Sequence, residues 1–488
     1  MFDVVTPESI GVSSSKVRRY LELLNRHGLA IHSVLMARGE KLFCQAYYKP
    51  YSADDIHRMY SVTKSYTGVA VCEMAARGLI SLDDKIVYYF GDKLPQNVHP
   101  YLQAQTIRSM LKMQTCMHNT EWYRNKIDDR LAYYFSRQPD HYPETGFWYD
   151  SDGSFVLGVL IERVTGKKPL EYLREICLDK IGFSKSAKCL DVVGGYPWGD
   201  SALVCTPMDT MLFARLLANG GVWNGKRLLS EETVKLSIGN YTDTHKFELA
   251  DHGSFGYGFQ IWHSYNNGFA FLGMHGQLMF YDKNTDITFF CTGGTMGDTS
   301  TELIAALFYS EIIDSVEVDT LPENLKAQQE LSDTINKLEI PVAYGNEKSY
   351  FEDIINGKEY KVQDNKMGIT KFSLTFDERG GKFYYTNAQG EKTLIFGRKK
   401  NVIQAFPQTG YSSNVGGEVD ENNTYRCAVS AAWGEEHRIN IKVQIIDDYI
   451  GALEISIGFN ENHAWLVMKK NAENFLNEYE GTATAEMV

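Results

Sequence analysis

The length, composition and charge of the chain set its broad class. Its 488 residues are too many for one ordinary hydrophobic core and predict two or three domains. Hydrophobic residues make up 43% and charged residues 23%, as in globular proteins, and no stretch of about 18 apolar residues predicts a membrane span. The net charge of −13 argues against a nucleic-acid partner, because binding to phosphates needs a basic surface.

The cysteines and the N-terminus bear on compartment and on metal binding. Eight scattered cysteines without CxxC pairs favour free thiols in a reducing compartment. The first residues lack a basic-then-apolar secretory signal, so we expect a cytoplasmic chain, although a processed secreted form has the same appearance. HExxH and paired CxxC arrangements are absent from the sequence, and we expect neither a metal nor a cofactor.

The first two thirds of the chain predict a sheet covered by helices. Apolar spacing predicts helices over 15–27 and 62–76, with a hairpin formed by strands 30–37 and 41–47 between them. A mostly helical region follows to about residue 235. Strands are then predicted over 257–262, 269–280 and 287–292, before a helix over 299–314. This order predicts an α+β domain over 1–316, with one antiparallel sheet flanked by helices from both ends.

The last third has a different texture. Residues 317–340 are polar and charged, and we interpret them as a linker. Beyond residue 341, short alternating segments separated by Gly, Asn and Asp predict a small all-β domain of barrel or sandwich type over 341–488. The predicted strands are 371–376, 382–386, 393–396, 402–406, 438–446 and 464–469.

A serine and a lysine one helical turn apart are candidates for nucleophilic catalysis. A serine hydroxyl needs a nearby base, and a desolvated lysine three positions later on a helix can take its proton. Three Ser-x-x-Lys tetrads occur, at Ser13, Ser61 and Ser109. Only Ser61, with Lys64, follows an apolar approach and opens a long helix, whose N-terminus favours negative charge. The alternative is that Ser61 is a simple helix cap and Lys64 a solvated residue.

Two further segments carry candidate site residues. In Tyr149-Asp150-Ser151, a tyrosine held near a lysine can shuttle protons to a leaving group, although Tyr149 is one of 30 tyrosines and can equally be a core residue. In the predicted strand around Gly273, the glycine lets a substrate approach the backbone. The Met274 N–H can then form an oxyanion hole with the Ser61 N–H. For His275, the alternative to a role in the site is a purely structural one.

These segments together resemble a known superfamily. Ser61-Val62-Thr63-Lys64, Tyr149-Asp150-Ser151 and Gly273 occur in the order of the three motifs of serine β-lactamases and penicillin-binding proteins. The segments 33–60 and 257–262, and the sequence Gly-Met-His-Gly-Gln at 273–277, resemble the class C-like esterases and 6-aminohexanoate-dimer hydrolases. The resemblance covers about residues 1–316. It implies a β-lactamase/transpeptidase-like fold with an additional helical subdomain.

The resemblance also implies roles for individual residues. Ser61 would form the acyl-enzyme, Lys64 would assist its deprotonation, and Tyr149 would match the tyrosine of the second motif. Gly273 would match the glycine of the third motif, with the Met274 N–H completing the oxyanion hole. These roles imply a serine hydrolase that acts on a small ester, amide or peptide.

Two departures from the superfamily's pattern narrow the expected substrate. Ser151 stands where the second motif has asparagine, and Phe271-Leu272-Gly273 or Met274-His275-Gly276 stands where the third has Lys-Thr-Gly. No lysine is therefore placed to hold a β-lactam carboxylate, and His275 would be a weaker substitute. We expect an esterase or amidase. A β-lactamase or D-amino-acid peptidase, and an inactive binding protein on the same fold, are the alternatives; the oligomeric state is left open.

Overall fold

The computed structural model forms two compact units. The N-terminal unit ends at Ile340 and the C-terminal unit begins at Pro341. The structure describes residues 2–120, 127–244, 256–295, 297–411, 423–447, 449–460, 462–473 and 475–488. Within these residues, no helix combines the length and the apolar character needed to cross a membrane.

The N-terminal unit is built from helices around one large sheet. Its helices are α1 (Ser14–Arg26), α2 (Val62–Ala76), α3 (Pro100–Ala104), α4 (Ile107–Leu111), α5 (Arg130–Ser136), α6 (Ser151–Thr165), α7 (Pro169–Leu173), α8 (Asp179–Ile181), α9 (Pro207–Ala218), α10 (Glu231–Ile238), α11 (Asp298–Glu311) and α12 (Leu325–Lys337). Its strands are β1 (Asp3–Val4), β2 (Ile31–Arg38), β3 (Lys41–Tyr47), β4 (His57–Arg58), β5 (Lys188–Cys189), β6 (Leu203–Cys205), β7 (Val222–Trp223), β8 (Lys226–Arg227), β9 (Trp262–Ser264), β10 (Gly268–Gly273), β11 (Gln277–Asp282) and β12 (Ile287–Gly293).

The large sheet joins the two ends of this unit. Among the described residues it has seven strands in the order β1-β3-β2-β12-β11-β10-β9, antiparallel except for the β1–β3 pair. Successive side chains of a strand point to opposite faces. Phe289 therefore contacts Tyr20 of α1 and Phe308 of α11, while Phe271 on the other face contacts Phe213 of α9. Helices cover both faces, and the predicted α+β architecture is confirmed.

Two sequence-based strand assignments are wrong. The segment 257–262 is apolar because it is buried, but the strand β9 begins only at Trp262, and Gln260 has a positive φ of 66°. The predicted strand 269–280 is two strands separated by a 3-10 turn over Met274–Gly276. Short apolar runs do not distinguish a strand from other buried backbone.

The stretch 317–340, interpreted as a linker, contains helix α12. Ala327 and Leu331, four residues apart, are buried, while most other positions of this helix are exposed. One narrow apolar stripe is enough for a helix that packs on another helix, and α12 contacts α1. The polar composition of the stretch reflects its wide solvent-facing side.

The C-terminal unit is a β-barrel. It contains α13 (Glu352–Ile355) and the strands β13 (Glu359–Val362), β14 (Lys371–Phe376), β15 (Gly380–Asn387), β16 (Gly390–Arg398), β17 (Val402–Ala405), β18 (Arg426–Glu435), β19 (Arg438–Ile446), β20 (Ile450–Asn460), β21 (His463–Asn471) and β22 (Gly481–Met487). Across the described residues, nine strands run in the order β16-β15-β14-β13-β22-β21-β20-β19-β18, and a β16–β18 pairing closes them. Alternate positions of β21 are buried, as closure around a filled interior requires.

Candidate active site

A small sheet fixes the backbone that leads into α2. His57 and Arg58 of β4 pair with Cys205 and Val204 of β6, and the Met59 N–H donates to the Leu203 carbonyl at 2.7 Å. Tyr60 follows in the left-handed region with a φ of 48°, which is uncommon for a bulky residue. The surrounding structure holds this conformation, because the Tyr60 ring is buried with the Arg58 guanidinium 4.3 Å above it. The next residue is Ser61.

Ser61 and Lys64 contact each other at the start of α2. The Nζ of Lys64 lies 2.9 Å from the Oγ of Ser61, so the i, i+3 spacing brings the two groups to hydrogen-bonding distance. The Ser61 hydroxyl makes no capping hydrogen bond to the helix, contrary to the simple-cap alternative. Lys64 is 1% exposed, contrary to the solvated alternative. The hydroxyl is thus directed at an amine and not at the backbone.

The environment of the Lys64 amine is polar but lacks an acidic partner. Its Nζ donates to the Asp200 carbonyl at 2.9 Å and lies 5.0 Å from the centroid of the Tyr149 ring. Among the described residues, no carboxylate oxygen lies within 4.0 Å of this amine. The Lys64 amine is therefore buried, held by a backbone carbonyl, and in direct contact with the Ser61 hydroxyl.

A buried ion cluster supports the segment that carries the Asp200 carbonyl. Arg130 contacts the Asp200 carboxylate at 2.8 Å and the Asp152 carboxylate at 2.9 Å, and all three side chains are buried. The carboxylates satisfy the guanidinium in a site without water access, which fixes their relative positions. The sequence analysis missed this cluster, because its members come from three distant segments and form no local motif.

Gln260 is a second structural link that the sequence analysis missed. Its backbone carbonyl accepts from the Ser65 hydroxyl of α2 at 3.1 Å, and its Oε1 accepts from the Ser154 hydroxyl of α6 at 2.7 Å. Its amide nitrogen donates to the carbonyls of Met110 and Leu111. The buried, left-handed Gln260 therefore joins the Ser61 helix to the helix that follows Tyr149. Its position within an apolar run gave no sign of this role.

The N-terminus of α6 positions Tyr149 and Ser151. Asp150 is the N-cap and accepts from the Gly153 N–H at 3.0 Å. The Tyr149 ring stacks on Trp262, with centroids 5.8 Å apart, and its own centroid lies 5.0 Å from the Lys64 Nζ. The Ser151 N–H donates to the Asn119 side-chain oxygen at 3.2 Å. An asparagine amide is therefore present beside the second segment, but it comes from residue 119.

Asp150 is also an unusual carboxyl group. Burial, and secondly the negative charge of Asp152, raise its pKa from 3.8 to about 6. The hydrogen bond from the Gly153 N–H acts in the opposite direction but is smaller. At neutral pH the buried charge of Asp150, the N-cap of α6, therefore lowers the stability of the folded state.

The third segment lies against the residues that precede Ser61. A Cβ at Gly273 would lie 2.5 Å from the Met59 carbonyl oxygen and 3.3 Å from the Val62 side chain, so this approach requires glycine. In the turn that follows, His275 has a φ of 64° and its ring contacts Tyr60 at 5.0 Å. Its Nδ1 lies 3.3 Å from the Thr295 carbonyl. Met274 is 48% exposed, so its side chain turns toward solvent.

The structure therefore gathers most of the residues that the sequence analysis selected. Lys64 contacts Ser61 and Tyr149, and Gly273 packs on the backbone that flanks Ser61. Met274 and His275 lie in a turn and not in the predicted strand. Ser151 is on the second segment, and its N–H faces Asn119.

Comparisons with known proteins place the chain in a family. The Beta-lactamase family model matches residues 15–302. The chain is 24% identical over 278 residues to the 6-aminohexanoate-dimer hydrolase of Paenarthrobacter ureafaciens, a match that covers 52% of this chain and 69% of that protein.

Solved structures share the fold. A candidate 6-aminohexanoate-dimer hydrolase from Bacillus anthracis aligns with a TM-score of 0.52 and 18% identity, over 66% of this chain and 89% of that one. EstCE1, described as a hydrolase with promiscuous acyltransferase activity, aligns with a TM-score of 0.50 and 16% identity, over 61% of this chain and 98% of that one. At these identities the likeness shows the fold alone. The family match spans more than half of the 488 residues. The chain therefore belongs to the Beta-lactamase family of hydrolases.

Proposed function

We propose that the protein hydrolyses a small ester or linear amide through an acyl-enzyme on Ser61, and that residues 1–316 form the hydrolase domain. The observation that carries this proposal is the 2.9 Å contact between the Ser61 hydroxyl and the buried Lys64 amine. A nucleophile and a base within hydrogen-bonding reach, with the base held by a third group, are the arrangement that acyl transfer needs. The Asp200 carbonyl is that third group.

In the first step, neutral Lys64 takes the Ser61 proton as Oγ attacks the substrate carbonyl. The C–O bond to Ser61 forms, and the carbonyl π pair moves to oxygen. The Ser61 and Met274 N–H groups are the proposed donors to this oxyanion. A pair of fixed donors stabilises the charge that develops in the transition state. The close packing of Gly273 on Met59 supports this assignment, because it holds the third segment next to Ser61.

In the second step, the bond to the leaving group breaks and its oxygen or nitrogen takes up a proton. We assign the transfer to Tyr149 and Lys64, since the Lys64 amine lies 5.0 Å from the Tyr149 ring centroid. Water then attacks the acyl-enzyme, gives a proton back to this pair, and releases the acid with Ser61 restored. Acid–base transfer of this kind contributes about 10²- to 10⁴-fold to rate.

The third segment favours substrates without a carboxylate anchor. A lysine is absent from Phe271–His275, and the Nδ1 of His275 is directed at the Thr295 carbonyl. The stacked rings of Tyr149 and Trp262 offer an aromatic wall beside Lys64, which suits an apolar or extended acyl chain. The related proteins are named as a 6-aminohexanoate-dimer hydrolase and as a hydrolase with promiscuous acyltransferase activity, which supports hydrolysis by acyl transfer.

The thiols support a reducing compartment for this enzyme. All eight cysteines are free, and seven of them are buried. Burial raises the pKa of Cys44, Cys72 and Cys427 to about 12, so their reactive thiolates are suppressed. We propose a cytoplasmic location on this basis.

The test compares Ser61→Ala with Ser109→Ala. Ser61→Ala is expected to abolish p-nitrophenyl ester turnover and covalent labelling by a fluorophosphonate, because the attacking oxygen is gone. Ser109→Ala is expected to retain both, since Ser109 only caps α4 in a Thr106 capping box. A fluorophosphonate adduct on a different residue, or full labelling of Ser61→Ala, would overturn the assignment of Ser61.

Two assays separate the alternatives. Rapid nitrocefin hydrolysis, or preference for a D-amino-acid amide, would place the protein among the β-lactamases or D-amino-acid peptidases. A wild-type protein that binds a boronate but neither reacts with a fluorophosphonate nor turns over any ester would be a binding protein on this fold.

A further inference from the structure

Two histidines and an aspartate converge outside the residues assigned to acyl transfer. His118, Asp140 and His141 each offer one ligand atom, and these atoms all lie within 4.8 Å of one another. His118 comes from the segment after α4, whereas Asp140 and His141 come from the loop after α5. The local sequence holds no metal motif, so only the tertiary structure brings the three side chains together.

We propose that His118, Asp140 and His141 bind a divalent transition-metal ion of the zinc, copper or nickel class. Imidazole and carboxylate ligands together suit these ions, whereas magnesium and calcium prefer sites made of oxygen ligands alone. Three protein ligands leave room for water as the remaining ligand.

The geometry fits an ion after small side-chain movements. The His118 Nδ1 lies 2.9 Å from the Asp140 Oδ2, and their side chains are 53% and 48% exposed. Ligand atoms around tetrahedral zinc, at bond lengths of about 2.0 to 2.2 Å, lie roughly 3.3 Å apart. Any pair of ligand atoms at the 4.8 Å limit would therefore have to close by about 1.5 Å, which rotation of two exposed side chains can achieve.

The surroundings hold the ligands in place. The backbone N–H of His118 donates to Asp140 Oδ2 at 3.2 Å, and the backbone N–H of Asp140 donates to the Cys116 carbonyl at 3.0 Å. The Trp148 ring lies 4.7 Å from the centroids of both imidazoles. The Trp148 ring and the hydrogen-bonded backbone restrict the positions of the ligands, while His118 and Asp140 remain accessible to an ion from solvent.

The positive charge of Arg137, which lies beside the site, is offset by a carboxylate. The Arg137 guanidinium donates to the His118 carbonyl and also contacts Asp152 at 3.3 Å. The Asp152 carboxylate offsets the positive charge that would otherwise repel a bound cation.

A bound ion would brace one wall of the candidate active site. Trp148 precedes Tyr149 in the chain, and Asn119 follows His118 and accepts from the Ser151 N–H. We assign the ion this structural position and no part in the chemistry of Ser61. The inference stands whether or not the proposed hydrolysis is correct.

The test is direct metal binding to tag-free, EDTA-treated full-length protein. Titration with ZnCl₂ in a calorimeter is expected to give one saturable equivalent, and His118→Gln, Asp140→Asn and His141→Ala each to weaken it at least about tenfold. CoCl₂ is expected to give visible d–d bands without thiolate charge transfer, since no cysteine is among the ligands. Circular dichroism confirms that each variant is folded.

The matched control is His463→Gln. His463 and Glu486 also form an exposed histidine–carboxylate pair, at 3.7 Å, but the described structure gives that pair no third ligand. This variant is expected to bind zinc like the wild type. The proposal would be overturned if the wild type takes up no zinc, or if the three ligand variants bind zinc as tightly as the wild type does. A thiolate band with cobalt would also overturn it.

Discussion

The starts of α2 and α4 carry the same serine–lysine spacing in opposite environments. At α2, the Ser61 hydroxyl contacts a Lys64 amine that is 1% exposed. At α4, the Ser109 hydroxyl donates to the Thr106 carbonyl and accepts from the Thr106 N–H, so the helix cap uses it. Lys112, with its side chain 17% exposed, pairs with the Glu144 carboxylate at 3.2 Å. The spacing therefore brings the serine hydroxyl and the lysine amine into contact only where the helix backbone does not bind the hydroxyl and no carboxylate binds the amine.

The third tetrad supports the same conclusion. Ser13 is the N-cap of α1, and the exposed Lys16 pairs with Glu311 at 3.2 Å. In this tetrad, as in the one at α4, the lysine is held by a carboxylate. Burial and the absence of an acidic partner, and not the tetrad itself, therefore distinguish Ser61 and Lys64.

The sharpest challenge to this comparison is to remove each lysine in turn. Lys64→Met keeps a long side chain but removes the base, so we expect ester turnover to fall about 10³- to 10⁴-fold. Lys112→Met is expected to change turnover less than about twofold, because Lys112 pairs with Glu144 at the protein surface and does not contact Ser61 or Lys64. Steady-state kinetics on one nitrophenyl ester measure both. Similar losses in the two variants would contradict the comparison.

The ion pairs near the two helices offer a second contrast. Arg130→Met leaves the buried Asp200 carboxylate without its guanidinium partner and leaves Asp152 only Arg137, so we expect the free energy of unfolding to drop by about 3 to 5 kcal/mol. Arg108→Met, which removes an exposed pair with Asp83 at α4, is expected to cost less than about 1 kcal/mol. Urea unfolding followed by tryptophan fluorescence gives both values. Equal losses of unfolding free energy in the two variants would show that the buried cluster does not stabilise the site.

Asp150, the N-cap of α6, offers a further contrast, in how stability depends on pH. Because its pKa is raised from 3.8 to about 6 in the folded state, Asp150 holds its proton in the folded protein where the unfolded chain has lost it. Its contribution to the free energy of unfolding is therefore greatest below about pH 4 and is lost as the pH rises to about 6. This loss is at most about 3 kcal/mol. Asp150→Asn keeps a capping side chain without a titration, so its stability relative to the wild type should rise over this window.

Asp129→Asn is the control for this pH dependence. Asp129 caps α5, and although burial opposes it, the Ala132 N–H and Lys93 lower the pKa of this carboxyl. Its contribution is therefore present at neutral pH and is lost on acidification, so the substitution should lower stability at pH 7. The same direction of change in both variants would refute the proposed role of burial at Asp150.

The smallest expected effect concerns the third segment. Gly273→Ala places a methyl group 2.5 Å from the Met59 carbonyl oxygen, and a shift of the oxyanion donors should lower ester turnover about tenfold, or about 1.4 kcal/mol. Gly91→Ala is the control, since a Cβ there meets no atom within 4 Å. Unchanged turnover in Gly273→Ala would argue against the Met274 N–H as an oxyanion donor.

Much of the fold follows from local patterns. Helices α1 and α2 and strands β2, β3 and β12 lie within a residue or two of their predictions, because apolar periodicity and turn residues are local properties. In the barrel, β14 and β19 match their predictions, whereas β18 and β20 were missed. Ala and Ser fill much of β18, and their weak preference for strands is overridden by pairing with neighbouring strands.

The sequence by itself determined that a serine and a lysine begin a long apolar helix, and that Tyr149 and Gly273 follow in a known order. Only the tertiary structure decided which of three equal tetrads has a contact between the two groups. The Asp200 carbonyl reaches Lys64 from 136 residues away, and Arg130 and Asp152 support it. Desolvation and hydrogen bonding depend on what packs around a side chain, and residue spacing does not encode that environment.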